Sequence, residues 1–379
     1  MKLLEDILII DFSQFLSAPS ASLRLADMGA RVIKIERPEK GDLCRELYVS
    51  DTMVNGESTI FHAINRNKES YQADLKNVDD LKEIKKLIKK ADVLIHNFRP
   101  GIMERIGLSY DVVKMINPQL VYAHIDGYGN EGDWKNKPGQ DLLLQAVSGL
   151  TWLSGNHQDQ PIPMGVAVAD ILAGTHLVQG ILTALYERTT SKKGALIETS
   201  MLESLIDFQF EVLTCFYNDG NMLPERSAVN NGHAYIAAPY GIYKTGKGYL
   251  ALAMGNIPRL GDLLACSALI SYTDPKEWYN KRDEIKTILQ NHLNTKPVKD
   301  WLDMLEPGDI WCAEVLDYDA LIQQEGYRIL EMEQEVSIGT QFLKTTRCPI
   351  RVDGQLLKSE KGAPALGAHT AAIKKEFNL

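Results

Sequence analysis

Cysteine is scarce and scattered. Its five copies, Cys44, Cys215, Cys266, Cys312 and Cys348, are odd in number and show no CxxC spacing. That excludes a disulfide framework or a zinc ribbon and points to reduced thiols in a cytoplasmic protein. The eight histidines form no HxxxH or HExxH pair, so no metal is expected. No apolar run reaches the roughly 18 residues of a membrane span. Met1 to Asp6 carries Glu5 and Asp6 and runs straight into a strand-like segment, unlike a signal peptide. An excess of basic charge is also missing. The formal net charge is −9, which argues against nucleic acid or a membrane as partner while leaving room for a local basic pocket. The first strand-to-helix junction, Asp11-Phe12-Ser13-Gln14-Phe15-Leu16-Ser17-Ala18-Pro19, lacks the glycine-rich pyrophosphate turn. This disfavours a nicotinamide-dinucleotide enzyme, and the P-loop pattern is absent too.

What is present is an ordinary globular composition. Of 379 residues, 45% are hydrophobic and 24% charged, which suits one large or two unequal domains. Strand and helix patterns alternate over the first 130 residues. Ile7–Asp11, Arg31–Ile35, Ser70–Asp74, Val93–His96 and Leu120–Ile125 read as strands, and Ser20–Met28, Asp79–Lys90 and Tyr110–Ile116 as helices. In the second helix Leu81, Ile84, Leu87 and Ile88 share one face. Repeated β-α-β units imply an α/β fold with a mostly parallel sheet, whose ligands sit beyond the carboxyl ends of the strands. Asp170 opens a helical stretch to about Arg188. A strand (Ala195–Thr199) and a helix (Met201–Phe216) follow. After Pro239 the texture changes to a hairpin around Lys244–Gly248, then helices over Glu277–Leu293 and Val298–Leu305. The expected division is a large domain from 1–200 and 326–379, a linker at 201–225, and a small α+β domain at 226–325.

Each candidate functional group has a plain structural reading beside it. Arg37, Lys40, Lys76, Arg99, Arg105, Lys135 and Lys137 fall near strand ends, where several cations could hold a phosphate-bearing ligand. Exposed basic residues are common, and spacing alone favours a solvated surface. Asn97-Phe98-Arg99-Pro100-Gly101 could offer backbone N–H groups to an anion or be an ordinary turn. Asp170 at a helix start suits a nucleophile held ionised by the dipole, but position alone favours a helix cap. His124 and Asp126 flank a strand end and suggest either acid–base work or structural hydrogen bonding. Gly127-Tyr128-Gly129 reads as a tight turn that another backbone or a ligand approaches closely.

Taken in order, the motifs resemble class III CoA-transferases, the family of formyl-CoA transferase and carnitine CoA-transferase. The matching segments are Arg31–Pro38, Asn65–Lys68 with Asp74–Lys76, Ala91–Gly101 with Arg105 and Gly107, Gly127–Gly129, Gly165–Asp170, Pro239–Gly241 and Ala363–Thr370. They span nearly the whole chain. The resemblance implies a Rossmann-like large domain completed by the C-terminal tail, a smaller domain, and an interlocked, ring-like homodimer. It places coenzyme A against Leu16, Ser17, Arg37, Ala73, Asp74, Leu75, Lys76, Asn97, Phe98, Arg99, Arg105 and Lys137, as a substrate rather than a permanent cofactor. It makes Asp170 the catalytic carboxylate, acting between an acyl-CoA and a small carboxylic acid. Covalent catalysis of this kind runs through mixed anhydrides and an aspartyl-CoA thioester.

Two departures from the family pattern bear on the substrate. The glycine-rich active-site loop of formyl-CoA transferase corresponds here to Asn230-Asn231-Gly232-His233, with a single glycine, so Asn231, Gly232 and His233 are candidate substrate or lid residues. The active-site glutamine of that enzyme falls on Leu16, which disfavours oxalate. A 2-methylacyl-CoA racemase is the nearest rival. Racemases of this fold carry a Gly-His-Asp segment, and here it reads Gly139-Gln140-Asp141. Glutamine does not exchange a proton near neutral pH, so a racemase would need another base such as His124. A non-catalytic CoA-binding protein is the third alternative, and it would have no use for Asp170.

Overall fold

A computed structural model describes residues 3–49, 52–359 and 361–379. Six short strands carry the apolar, β-branched runs: β1 (Leu8–Asp11), β2 (Arg31–Glu36), β3 (Glu69–Gln72), β4 (Val93–His96), β5 (Val121–Asp126) and β6 (Ala195–Ser200). They form one sheet in the order β3-β2-β1-β4-β5-β6, and every pairing is parallel. Ile9 lies beside Val32 on one side and Val93 on the other. Central strands of such a sheet are covered on both faces, which is why they read as continuous apolar runs. The strand order reverses between β1 and β4. Loops leaving those two carboxyl ends diverge and open a crevice.

Helix α1 (Ser17–Asp27) joins β1 to β2. It starts three residues before the expected Ser20 because Pro19 fits the first turn, where its missing N–H costs nothing. Helix α2 (Val78–Ile88) is capped by Asn77, which accepts from the N–H groups of Asp79 and Asp80, and it buries Ile84, Leu87 and Ile88. Between β5 and β6 the chain forms α3 (Asp141–Val147) and later α4 (Val168–Ser191). Helix α4 is long and apolar enough to cross a membrane by length and composition. Here its Ala173, Leu177 and Ile181 are fully buried inside a packed unit, with the helix set against α1.

The close packing of α1 and α4 has a specific cause. A Cβ on Gly174 would lie 2.7 Å from the Ser17 carbonyl oxygen and closer still to the Ser20 hydroxyl. Only glycine lets the two backbones approach this far. Asp170 sits four residues earlier on the same face of α4, so this contact sets its position beside the start of α1.

The chain divides into two compact units. One comprises Met1–Leu144, Ala167–Ile206 and Ile329–Leu379, and the other Gln145–Val166 with Asp207–Arg328. Residues 145–166, expected in the large domain, thus pack in the second unit. The stretch 201–225, expected as a linker, contains helices Met201–Phe208 and Phe210–Asn218, with Gln209 between them. The second unit holds an antiparallel sheet of β7 (Gly241–Lys244), β8 (Tyr249–Leu252) and β9 (Cys312–Glu314), in the order β9-β8-β7. Its core is built on Tyr243, Leu250 and Trp301. In the first unit the C-terminal tail docks on β3. The His369 N–H donates to Ser70 O at 3.1 Å, and the Gln72 N–H donates to the Thr370 hydroxyl oxygen at 3.0 Å.

Candidate active site

A cavity of about 760 Å³ opens at the carboxyl edge of the first unit's sheet, at the crevice between the β1 and β4 loops. Asp170, Leu16, Ser17, Asn97, Phe98, Arg99, Lys137 and Gln140 all line it. So do residues that the sequence did not single out for a site role, among them Gln14, Phe15, Leu43, Leu47, Ile60 and Met201. Arg37, Ala73 to Lys76 and Arg105 do not line it. Arg37 follows β2 and donates from Nε to Gly41 O at 3.1 Å. Ala73 is buried and Lys76 exposed just after β3. Arg105 is exposed at the end of the short helix Ile102–Arg105. Because the strands are parallel, the loops carrying Arg37, Ala73–Lys76 and Asn97–Arg99 all leave the same sheet edge.

Asp170 is the third residue of α4, and the N-cap position belongs to Ala167. The cap reading of Asp170 is therefore corrected. The capping oxygen comes from Asp141, whose Oδ2 accepts from the N–H groups of Ala169 at 2.7 Å and Asp170 at 3.2 Å. A carboxylate there satisfies two of the orphan donors at the helix start. The Asp170 carboxyl is thereby left out of the capping of its own helix and faces Ser17 at the start of α1. Burial pushes its carboxyl up to about 7, with the nearby Asp141 carboxylate adding to the rise and hydrogen bonding from the Ser17 side chain and backbone opposing it.

Asp141 reaches this place through a tight crossing of backbones. A Cβ on Gly127 would lie 2.8 Å from the Gly139 Cα. The close approach anticipated at Gly127–Gly129 is thus made by the Gly139 segment, which sets Gln140 and Asp141 at the carboxyl end of β5.

The β1–α1 loop is held from both sides. The N–H of Gln14 donates to Asn97 Oδ1 at 2.8 Å, and Asn97 Nδ2 donates to Gln14 O at 2.8 Å and to the Ser17 hydroxyl at 3.2 Å. The Asn97 side chain therefore serves to fix the loop. Beneath it, Lys34 Nζ donates to Ser13 O at 2.6 Å and pairs with Asp42 at 2.8 Å. Lys68 pairs with Asp11 at 3.2 Å, and Arg66 with Asp27 at 3.0 Å. Burial would raise the Asp11 carboxyl, but Lys68, Lys34 and the hydroxyls of Ser13 and Ser22 overcome it and hold it below the usual range. Burial pulls Lys68 down to about 8. The Asn65–Lys68 motif is thus an internal brace under the site.

Cations occupy the wall that follows β4 and β5. Arg99 and Lys135 are exposed, and their side chains have no hydrogen-bond or ion-pair partner among the described residues. Lys137 Nζ lies 4.8 Å from the Trp134 ring centroid. His124 does not line this cavity. It lines an adjacent one of about 280 Å³, stacked on His96 at 5.0 Å. Burial holds His96 well below its ordinary range, with His124 beside it adding to the effect.

The candidate loop Asn231–His233 belongs to the second unit. The N–H of Ser227 donates to Asn231 Oδ1 at 3.1 Å, and the Asn231 N–H donates to Asn156 Oδ1 at 3.0 Å. Lys286 Nζ, fully buried, braces it by donating to the Ser227 hydroxyl at 2.9 Å and Asn230 O at 3.1 Å. Gly232 packs against Tyr240, and the Tyr235 N–H donates to His233 Nδ1 at 3.2 Å.

The sequence is similar to known transferases over nearly its whole length. It is 31% identical to acetyl-CoA:oxalate CoA-transferase of Acetobacter aceti over 98% of this chain and 95% of that protein. It is 32% identical to succinate–glutarate CoA-transferase of Agrobacterium fabrum over 99% of this chain and 95% of that one. The fold matches a crystal structure of a CAIB/BAIF family protein from Brucella suis with a TM-score of 0.84, 28% identity and 98% coverage of both chains. The profile of CoA-transferase family III matches residues 4–370. The chain belongs to CoA-transferase family III and is an enzyme of that class, with CoA thioesters as substrates.

Proposed function

We propose that this enzyme moves coenzyme A from an acyl thioester to a free carboxylic acid, with Asp170 as the nucleophile. The observation that carries this reading is the release of Asp170 from capping duty by Asp141, inside a cavity with unpaired cations on its wall. Asp170 attacks the thioester carbonyl, giving a mixed anhydride and CoA thiolate. The thiolate attacks the aspartyl carbonyl, giving an aspartyl-CoA thioester and the donor acid. The acceptor carboxylate attacks that thioester, forming a second anhydride and releasing thiolate. The thiolate then takes the acyl group, and the Asp170 carboxylate is restored. Each step exchanges one acyl bond for another, so no oxidant or net proton is required. Gln140 would donate its amide to the developing oxyanion.

CoA would lie along the carboxyl edge, between the cationic wall and the loops bearing Arg37, Ala73–Lys76 and Arg105. The similar enzymes are named for oxalate, succinate and glutarate, which supports a small carboxylic acid as the acceptor. The racemase reading is weakened by Gln140 and by the placement of His124 in the adjacent cavity. An interlocked homodimer in the cytoplasm belongs to the same proposal; exposed Phe210, Tyr217 and Leu223 support the existence of a protein interface.

The test is trapping. Incubation with an acyl-CoA and then hydroxylamine should convert Asp170 alone to a hydroxamate, read by peptide mass. Asp170→Ala should lose transfer and keep CoA affinity. Turnover by that variant would sink the nucleophile assignment.

A further inference from the structure

We propose that the acyl group handled at Asp170 is an uncharged aliphatic one, bound against a dedicated apolar wall, and that dicarboxylates are poor substrates. This rests on the transferase reading above. The wall is formed by Phe15, Leu16, Leu43, Cys44, Leu47 and Ile60. Phe15, Leu43 and Leu47 remain 46%, 39% and 39% exposed, so this apolar surface is available to a ligand. Cys44, Leu16 and Ile60 continue it inward as part of a small apolar cluster with Leu23 and Phe61.

The charges behind this wall are already committed. Arg45 pairs with Glu36 at 2.7 Å and with Glu57 at 2.8 Å, and its guanidinium lies over the Phe61 ring. Lys34 pairs with Asp42 at 2.8 Å. Neither can turn to a second carboxylate without stranding a buried partner. The unpaired cations, Arg99 and Lys135, are on the loops after β4 and β5, the wall assigned to CoA. An acyl chain opposite the thioester sulfur therefore meets methyl and methylene groups. A distal carboxylate there would lose its water and meet no unpaired cation among the described residues of that wall, whereas an aliphatic tail gains about tenfold or more in kcat/KM per well-packed methylene.

The test is isotope self-exchange, in which each CoA thioester is offered its own 13C-labelled acid. The reaction is thermoneutral for every acid, so only recognition differs. Butanoyl-CoA with butanoate and 2-methylpropanoyl-CoA with 2-methylpropanoate should exchange at least about tenfold faster in kcat/KM than succinyl-CoA with succinate. In Leu47→Arg the succinate-to-butanoate ratio should rise at least about tenfold, a ratio measured within one preparation and so insensitive to partial loss of folded enzyme. Succinate exchanging as fast as butanoate would overturn the apolar-wall proposal and leave the transferase reading standing. Exchange with none of the acids would overturn both.

Discussion

Asp141 and Asp170 meet at the start of one helix with their roles divided. Asp141 Oδ2 accepts from the Asp170 N–H at 3.2 Å and from Ala169 at 2.7 Å, while the Asp170 side chain takes no part in capping. Burial and its neighbour raise Asp170 to about 7.

Replacing Asp141 separates its two effects. Asp141→Ala removes the cap and should cost about 1 kcal/mol of stability. Asp141→Asn keeps an oxygen acceptor but removes the like charge. The acid limb of the kcat/KM profile, expected near pH 7 in the wild type, should move to lower pH in Asp141→Asn.

Asp170 also sets a pH dependence of stability. Its folded pKa lies above the unfolded value, so the folded state binds more protons between about pH 4 and 7. Stability from this group is present below that window and is lost as pH rises through about 7. Asp170→Asn mimics the protonated form. It should stabilise the enzyme by about 1–3 kcal/mol at pH 8 and by almost nothing at pH 4. Denaturant titrations at the two pH values measure this directly.

Gly174→Ala should push α1 and α4 apart. The new Cβ would meet backbone, the Ser17 carbonyl at 2.7 Å, as well as the Ser20 side chain. A stability loss of about 1–3 kcal/mol is expected, with kcat reduced at least about tenfold because Asp170 moves relative to Ser17. Gly326→Ala is the control. Nothing lies within 4 Å of its added Cβ, and the change should be neutral or stabilise by up to about 1 kcal/mol.

Asn97→Ala should release the β1–α1 loop. Three hydrogen bonds to Gln14 and Ser17 are lost, and about 1–3 kcal/mol of stability with them. Faster amide hydrogen exchange at Gln14 should accompany a rise in KM for acyl-CoA. Unchanged exchange there would show that the loop is held by other means.

Much of the architecture was legible because strand and helix periodicities are local. Val93–His96, Tyr110–Ile116 and Val298–Leu305 fall where their patterns predict. Boundaries that depend on packing did not. The helices at 201–208 and 210–218 part at Gln209, and 145–166 joins the second unit. Neither pattern nor turn residues mark those changes. Within the site, Phe15, Leu43, Leu47 and Ile60 carried no signal, because an apolar side chain facing a ligand looks like one facing a core.

The amino-acid order alone determined the alternating β-α plan, the missing dinucleotide turn and the family pattern around Asp170, since each is written in neighbouring residues. Tertiary structure decided what Asp170 is free to do. Its release depends on an oxygen from Asp141, 29 residues away in the chain, on a backbone crossing at Gly127 and Gly139, and on the approach of α1 at Gly174. Such long-range contacts have no local spacing to announce them, and they turn an aspartate that looked like a helix cap into one available for chemistry.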